Sequence, residues 1–449
     1  MSSGNGAAAA LQHSRHAIEL LFGPPAQRQF AVEYWDGTRE EPVIRAAFTL
    51  VIRRPSALRD MLLPPSELSI IEAYLNGAVD VEGDLGVAVT LGDAINSRLR
   101  APATLVSLVR DVLALPKDGN GRRAVRELRA DRHVTPSGKE HEPARDRAAI
   151  RYHYDVGNDF YRLWLDERMV YSCAYFEHPD DTLDDAQEAK LDLVCRKLRL
   201  RPGERFLDVG CGWGALVMHA ARHYGVQAVG ITLSEQQVEL GRQRITSAGL
   251  DGQCHVEIRD YRDAPQLGPF DKIASIGMVE HVGVEKLPGY FAAVYASLKP
   301  GGLFLNHGIV SVDAAREHDL RDKVEERLWR RGSFIEQYVF PDGRLGPFHA
   351  IIQSAEREGF ETRDVESLRE HYVLTLGEWV RRLEACEQEA IALVGEQTYR
   401  VWRLYMTASA KQFRAGNINV LQTLLAKPRN GASMLPMTRA DIYRPSDRL

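Results

Sequence analysis

Cysteine is scarce in this chain: five in 449 residues, an odd number, with no Cys-x-x-Cys pair and no His-rich neighbourhood. That usage fits neither a disulfide framework nor a zinc cage, nothing else reads as a metal site, and a reducing cytoplasm is the simplest home. Positive charge is not in excess either. A formal net charge of −5 leaves no global positive field for a phosphate backbone, so nucleic acid is not expected as the main partner. Long apolar runs are also missing, and nothing approaches the roughly 20 residues needed to span a bilayer. The opening MSSGNGAAAALQHSRH has no basic stretch followed by an apolar core, so it does not read as a secretory signal. The chain is expected to be soluble, or at most peripheral to a membrane, and no internal repeat is visible.

What is present is enough apolar material, 44% of the residues, for more than one core at this length. Residues 1–116 mix helical and strand-like patterns (QFAVEYW, PVIRAAFTLVIR, SALRDMLL, SELSIIEAYLNG), which predicts a small α+β domain. Residues 117–148 read as a linker. Between Lys117 and Arg147 nine Lys/Arg stand against six Asp/Glu, with few large apolar residues. From 149 to 449 the rhythm is α/β: RFLDV, VQAVGI, CHVEI, DKIASI and GLFLNHGIV alternate with helical segments, followed by helices and a closing strand INVLQTLL. Such alternation predicts a mostly parallel sheet covered on both faces.

RFLDV runs directly into Gly210-Cys211-Gly212-Trp213-Gly214, placing Asp208 at the end of a buried strand and three glycines at the start of a helix. Glycines admit a ligand close to the backbone, and free N–H groups at a helix start favour polar groups. Taken alone the glycines could simply pack a helix on a strand. The dinucleotide pattern GxGxxG is absent, and the second strand ends in Gly230-Ile231-Thr232-Leu233-Ser234 without an acid.

DVGCGWG followed by GITLSEQQ resembles the S-adenosylmethionine-dependent methyltransferases, and within them the cyclopropane-fatty-acid synthase family. The resemblance continues in order through HYDVGNDFY, VYSCAYF, SIGMVEHVG, LNHGI, FIEQYVFPDG, HYVLTLGEW and FRAGNINV, covering essentially everything after Arg151. The N-terminal SELSIIEAYLNGAVDVEGDL is similar to the small extra domain of phospholipid-acting members. The resemblance implies a class I, Rossmann-like methyltransferase domain with seven strands, the last antiparallel. It implies that S-adenosylmethionine lies against Tyr171, Ser172, Asp208, Gly210, Cys211, Gly212, Trp213, Gly214, Thr232, Leu233 and Gln237, with Asp260 and Tyr261 near the adenine.

Methyl transfer to an alkene leaves a carbocation, because the acceptor carbon has no lone pair. Aromatic faces tolerate that charge, by about 0.5–2 kcal/mol per contact, without offering a nucleophile. VYSCAYF supplies such rings. A methyl proton must then leave, and no side chain is the obvious base. The resemblance implies a bicarbonate ion in that role, held by Cys173, Glu280, His307, Ile309 and Tyr372. His307 and Tyr372 could donate to the anion, while Glu280 could accept its hydroxyl proton. Cys173 would then be a compact wall, not a nucleophile. Read singly, Cys173 is as well explained as a small core hydrophobe, His307 as a satisfied core histidine and Tyr372 as a helix cap. His281, beside Glu280, is the alternative base if no bicarbonate takes part. Ala408-Ser409-Ala410 stands where many relatives carry a cysteine, so no role for that thiol carries over. Residues 1 to about 30 have no counterpart in the resemblance.

The expected substrate is the cis double bond of unsaturated phospholipid acyl chains, reached by peripheral membrane contact, with Phe334, Tyr338, Phe340, Phe348, Trp379, Trp402, Tyr405 and Phe413 as candidate walls of an acyl tunnel. The small domain is the expected site of homodimer contacts. Alternatives are an enzyme forming methylene- or methyl-branched chains, a small-molecule N- or C-methyltransferase, and a lipid-binding protein with a decayed methyltransferase fold.

Overall fold

The computed structural model describes residues 2–63, 66–92, 95, 98, 101–117, 156–312, 334–339 and 345–443. The linker expected at 117–148 lies outside them apart from Lys117, as do Phe340 and the first residues of HYDVGNDFY. The chain divides into two compact units, Met1–Thr135 with His318–Pro341 and Val394–Lys411, and Pro136–Glu317 with Asp342–Leu393 and Gln412–Leu449.

The first unit holds a four-stranded sheet built from β1 (Ala31–Tyr34), β2 (Arg39–Glu40), β3 (Phe48–Ile52) and β4 (Val79–Gly83), in the order β2-β1-β3-β4. The pairing of β1 with β3 is parallel and the others are antiparallel. Helix Ser2–Phe22 buries Ala10, Ala17, Ile18 and Leu21 in the core of this unit and packs on helix Pro102–Ala114. Its polar face reaches the same helix, with His13 and His16 contacting the two carboxylate oxygens of buried Asp111 at 2.9 and 2.6 Å.

The second unit is organised by a seven-stranded sheet of β5 (Arg205–Val209), β6 (Gln227–Thr232), β7 (Cys254–Ile258), β8 (Phe270–Ile276), β9 (Leu298–Ser311), β10 (Glu361–Ser367) and β11 (Ile418–Ala426). Its order is β10-β11-β9-β8-β5-β6-β7. The strands β5 to β9 pair in parallel, and β11 runs antiparallel to both neighbours. This is the Rossmann-like, class I methyltransferase sheet expected from the sequence. Strands buried on both faces read as continuous apolar runs because helices cover each side. Accordingly, two apolar cores flank the sheet, one containing Leu191, Leu216 and Val238 and the other Tyr290, Phe291 and Ile351. The order reverses between β5 and β8, and an open α/β sheet places its ligand crevice at such a point, beyond the carboxyl ends of the strands. Among the described residues no helix is long and apolar enough to cross a membrane.

Candidate active site

Beyond β5 the chain turns sharply. Gly210, Gly212 and Gly214 have φ of +83°, +54° and +81°, and a Cβ at Gly210 would stand 3.1 Å from Met278 Cγ, so both conformation and space favour glycine there. The Gly210 and Cys211 N–H groups donate to the Ile231 carbonyl at 2.9 and 3.0 Å, folding the turn over the end of β6. At that end Thr232 Oγ1 donates to Gln237 Oε1 at 2.7 Å, and Ser234 Oγ caps helix Glu235–Ser247 by accepting from the Gln237 N–H.

The opposite wall is a loop tied by one carboxylate. Asp166 accepts from the N–H groups of Arg168 (3.0 Å) and Val170 (2.7 Å), holding Met169 at a φ of +54°. The chain then presents Tyr171 and Ser172. Helix Leu183–Leu198 fixes them from below: Gln187 Nε2 donates to the Val170 and Ser172 carbonyls, and Lys190 Nζ donates to Ser172 Oγ at 2.9 Å.

These segments enclose one cavity. Of the residues expected to hold the cosubstrate, Tyr171, Ser172, Asp208, Gly210, Cys211, Gly212, Trp213, Thr232 and Gln237 line it, together with Met169, Val170, Lys190, Met278 and His281. Gly214, Leu233, Asp260 and Tyr261 are not among the lining residues. Gly214 instead caps helix Ala215–Tyr224. Asp260 caps the short turn Tyr261–Leu267 and pairs with Arg262 at 2.8 Å, while the Arg262 guanidinium lies over the Tyr261 ring.

Lys190 escaped the sequence reading. Its signal was a charged residue inside the apolar stripe Leu183, Ala186, Leu191, Val194 and Leu198 of a helix capped by Thr182. Burial pulls its ammonium down to about 8, while Asp166, Cys173 and Asp208 hold it up. Asp208 carries the converse perturbation. Burial pushes its carboxyl up to about 7 against the opposing pull of Lys190, and Oδ1 has no hydrogen-bond partner among the described residues. A buried polar atom left unsatisfied beside a glycine-cradled cavity has the chemistry to receive a polar, positively charged ligand. The residues present therefore fit S-adenosylmethionine.

The second expected group is assembled through backbone contacts. Glu280 stands on the turn Val279–His281 after β8, and its Oε1 accepts from the Ile309 N–H of β9 at 2.7 Å. Oε2 is buried without a partner among the described residues, and burial pushes the carboxyl up to about 7 against the Ile309 bond. His307, two residues earlier on β9, is buried, and desolvation, aided by Lys190 and Lys197, holds it well below the usual histidine range. Tyr372 and Cys173 meet at one atom: the Leu368 carbonyl accepts from the Tyr372 N–H at 3.0 Å and from the Cys173 thiol at 3.6 Å. The Leu368 N–H in turn donates to Val420, whose register partner on β9 is Ile309. Burial pushes the Cys173 thiol far above its ordinary range, which disfavours the thiolate a nucleophile requires. None of these five residues lines the cavity; His281 does.

Aromatic rings separate and join the two groups. Tyr171 lies 5.2 Å from Trp379, 5.6 Å from Trp164 and 5.5 Å from Tyr161 between ring centres, and Tyr161 lies 5.1 Å from Trp213. Tyr372 packs on Phe413 at 4.7 Å. Of the residues offered as tunnel walls, Phe334, Tyr338, Trp402 and Tyr405 fall in the first unit and Phe348, Trp379 and Phe413 in the second.

Comparison with known proteins settles the family. Residues 141–423 match the mycolic acid cyclopropane synthetase family. The chain belongs to this family. Residues 18–97 match a domain of unknown function. A probable fatty acid methyltransferase of Pseudomonas putida is 40% identical over 428 residues, covering 94% of this chain and 99% of its own. Cyclopropane mycolic acid synthase 1 of Mycobacterium tuberculosis is 38% identical over 275 residues, covering 61% of this chain and 95% of its own. Among solved structures, the mycolic acid cyclopropane synthase CmaA1 complexed with SAH and CTAB aligns with a TM-score of 0.57 at 37% identity, over 62% of this chain and 97% of that one. As a family member the chain is an S-adenosylmethionine-dependent methyltransferase acting on lipid chains.

Proposed function

We propose that this methyltransferase transfers a methylene unit from S-adenosylmethionine to the cis double bond of unsaturated phospholipid acyl chains, closing a cyclopropane ring. The observation that carries the reading is Glu280, whose carboxylate has one oxygen bound to a backbone N–H and the other buried without a partner among the described residues. Such a group is costly unless a polar partner completes it. Cys173, Glu280, His307, Ile309 and Tyr372 would hold bicarbonate, which supplies a base of modest strength. The chain's own side chains have distinct tasks. Lys190 and Gln187 fix the strand of backbone that presents Tyr171 and Ser172. The rings of Tyr171, Trp379 and Tyr372 offer faces that stabilise a cationic acyl carbon by about 0.5–2 kcal/mol each. Neutral His307 and Tyr372 can donate hydrogen bonds without adding positive charge beside that cation. A small domain in addition to the catalytic one suits a protein that works at a membrane surface, as a peripheral homodimer in the cytoplasm.

A second reading is favoured by the place of His281 in the cavity lining: that imidazole takes the proton itself and no bicarbonate is needed. A methyl-branched alkene is the outcome if the proton leaves from a carbon of the chain, and an exocyclic methylene if a hydride shifts onto the cationic carbon before the methyl proton leaves. One experiment separates these readings. Unsaturated phospholipid vesicles are incubated with methyl-labelled S-adenosylmethionine, with dissolved CO2 either present or stripped, and the product lipid is read by NMR. Ring protons that depend on bicarbonate are expected. Turnover indifferent to bicarbonate would transfer the role to His281, and an exocyclic alkene or methyl branch would overturn ring closure.

A further inference from the structure

Gln422 belongs to none of the motifs that brought the site to notice, and it is fully buried in the middle of β11. Its register partner across the β11–β9 ladder is His307, and the two side chains meet with Gln422 Nε2 3.2 Å from His307 Nδ1. A contact between an amide and an imidazole can be made in two ways. Either the amide nitrogen donates to a bare Nδ1, or the amide oxygen accepts from a protonated Nδ1. The surroundings distinguish them. Gln422 Oε1 has no partner among the described residues, so turning the amide over would exchange a buried carbonyl oxygen without a partner for a further buried N–H without one. Orphaned buried N–H groups are the rarer and costlier of the two.

We infer that Gln422 is a positioning residue that donates to His307 Nδ1 and thereby fixes the neutral ring with its proton on Nε2, a permanent hydrogen-bond donor. Both strands are held on either side, β9 by β8 and β11 by β10, so ring and amide keep their register. A ring with Nδ1 protonated would offer an anion a lone pair at Nε2 instead of a proton. The value of the lock for turnover rests on the proposed anion site; the lock itself does not.

The test uses the full chain with 15N-labelled histidine. The His307 signals, identified by their loss in His307→Asn, are compared in wild type, Gln422→Met and Gln422→Glu. The wild type is expected to show a bare Nδ1 and a protonated Nε2. Gln422→Glu, nearly isosteric but an acceptor only, is expected to move the proton to Nδ1, and Gln422→Met to leave a mixture. Turnover on unsaturated phospholipid should fall by about 10–100-fold in Gln422→Glu, the usual cost of losing a group that orients another, with the KM for bicarbonate raised and that for S-adenosylmethionine unchanged. A wild type with Nδ1 protonated, or an unaltered ring in both folded variants, overturns the inference. A tautomer that switches as expected in an enzyme whose turnover ignores bicarbonate upholds the lock and overturns the anion site.

Discussion

Replacing Gly308 with alanine tests the geometry around Glu280 directly. A Cβ at that position would stand 2.2 Å from Val279 Cγ1, about 1.2 Å short of the 3.4 Å at which ordinary contact begins. The strand cannot step aside. Gly308 is paired with Leu421 of β11, and its neighbour His307 with Ile276 of β8, so β9 is gripped on both edges. Val279 must yield instead, and it is buried and β-branched, with little rotameric freedom. The turn that carries Glu280 and His281 is then driven away from β9, and the 2.7 Å bond between Glu280 and the Ile309 N–H is stretched. Overpacking of this kind costs about 1–3 kcal/mol of stability, and a displacement of about 1 Å at a reacting site costs on the order of 100-fold in rate. The assay pairs thermal unfolding with turnover of labelled S-adenosylmethionine and calorimetric binding of S-adenosylhomocysteine. Gly308→Ala is expected to unfold a few degrees lower and to lose about 100-fold in turnover, with the glycine turn beyond β5 still binding the nucleoside. Adding Val279→Ala removes the colliding methyl group and should restore most of both. A Gly308→Ala enzyme as stable and active as wild type, or a double variant no better than the single one, would refute the argument.

Glu280→Gln should lower turnover far more than S-adenosylmethionine affinity, and its stability carries a signature of pH. The wild-type carboxyl titrates near 7 in the folded protein, above its ordinary 4.5, so the folded state keeps a proton that the unfolded chain has released. Wild-type stability is therefore lost as pH rises through that window, and ligand-free Glu280→Gln should gain thermal stability relative to wild type between about pH 5 and about pH 8. A constant difference in unfolding temperature across that range contradicts a buried, ionisable Glu280. Cys173→Ala is expected to keep turnover within about tenfold of wild type, since a buried thiol held far from its thiolate form acts as a small apolar wall. The folded wild type should correspondingly resist alkylation by iodoacetamide at that position. Loss of all measurable turnover in a well-folded Cys173→Ala protein would restore the thiol as a participant.

The glycine turn was legible because strand, turn and helix are contiguous: RFLDVGCGWG contains the strand end, the tight turn and the helix start within ten residues. Lys190 was not, because the helix carrying it precedes the first strand of the sheet, and its place in the cavity wall, bonded to Ser172 18 residues earlier, appears only once the chain has folded. The link from Cys173 to Tyr372 is likewise invisible locally. It depends on the carbonyl of Leu368, 195 residues from Cys173, and on the ladder that ties Leu368 to β11. Asp260 and Tyr261 are not among the residues lining the cavity. Both sit in a plausible loop, but Asp260 is spent on capping its own turn and pairing with Arg262. Pattern reading recovers what neighbours in sequence build, and Gln422 opposite His307 exists only once two strands 115 residues apart have paired.

The strand order β10-β11-β9 has a consequence for synthesis. As the chain leaves the ribosome, β9 and β10 are complete well before β11, yet neither pairs with the other in the finished sheet. Until residues 418–426 emerge, the half-made domain carries an open edge on β9 and an unplaced strand, the kind of surface on which nascent chains stick to one another. Of these seven strands, the last to be translated is thus the one that joins β9 to β10.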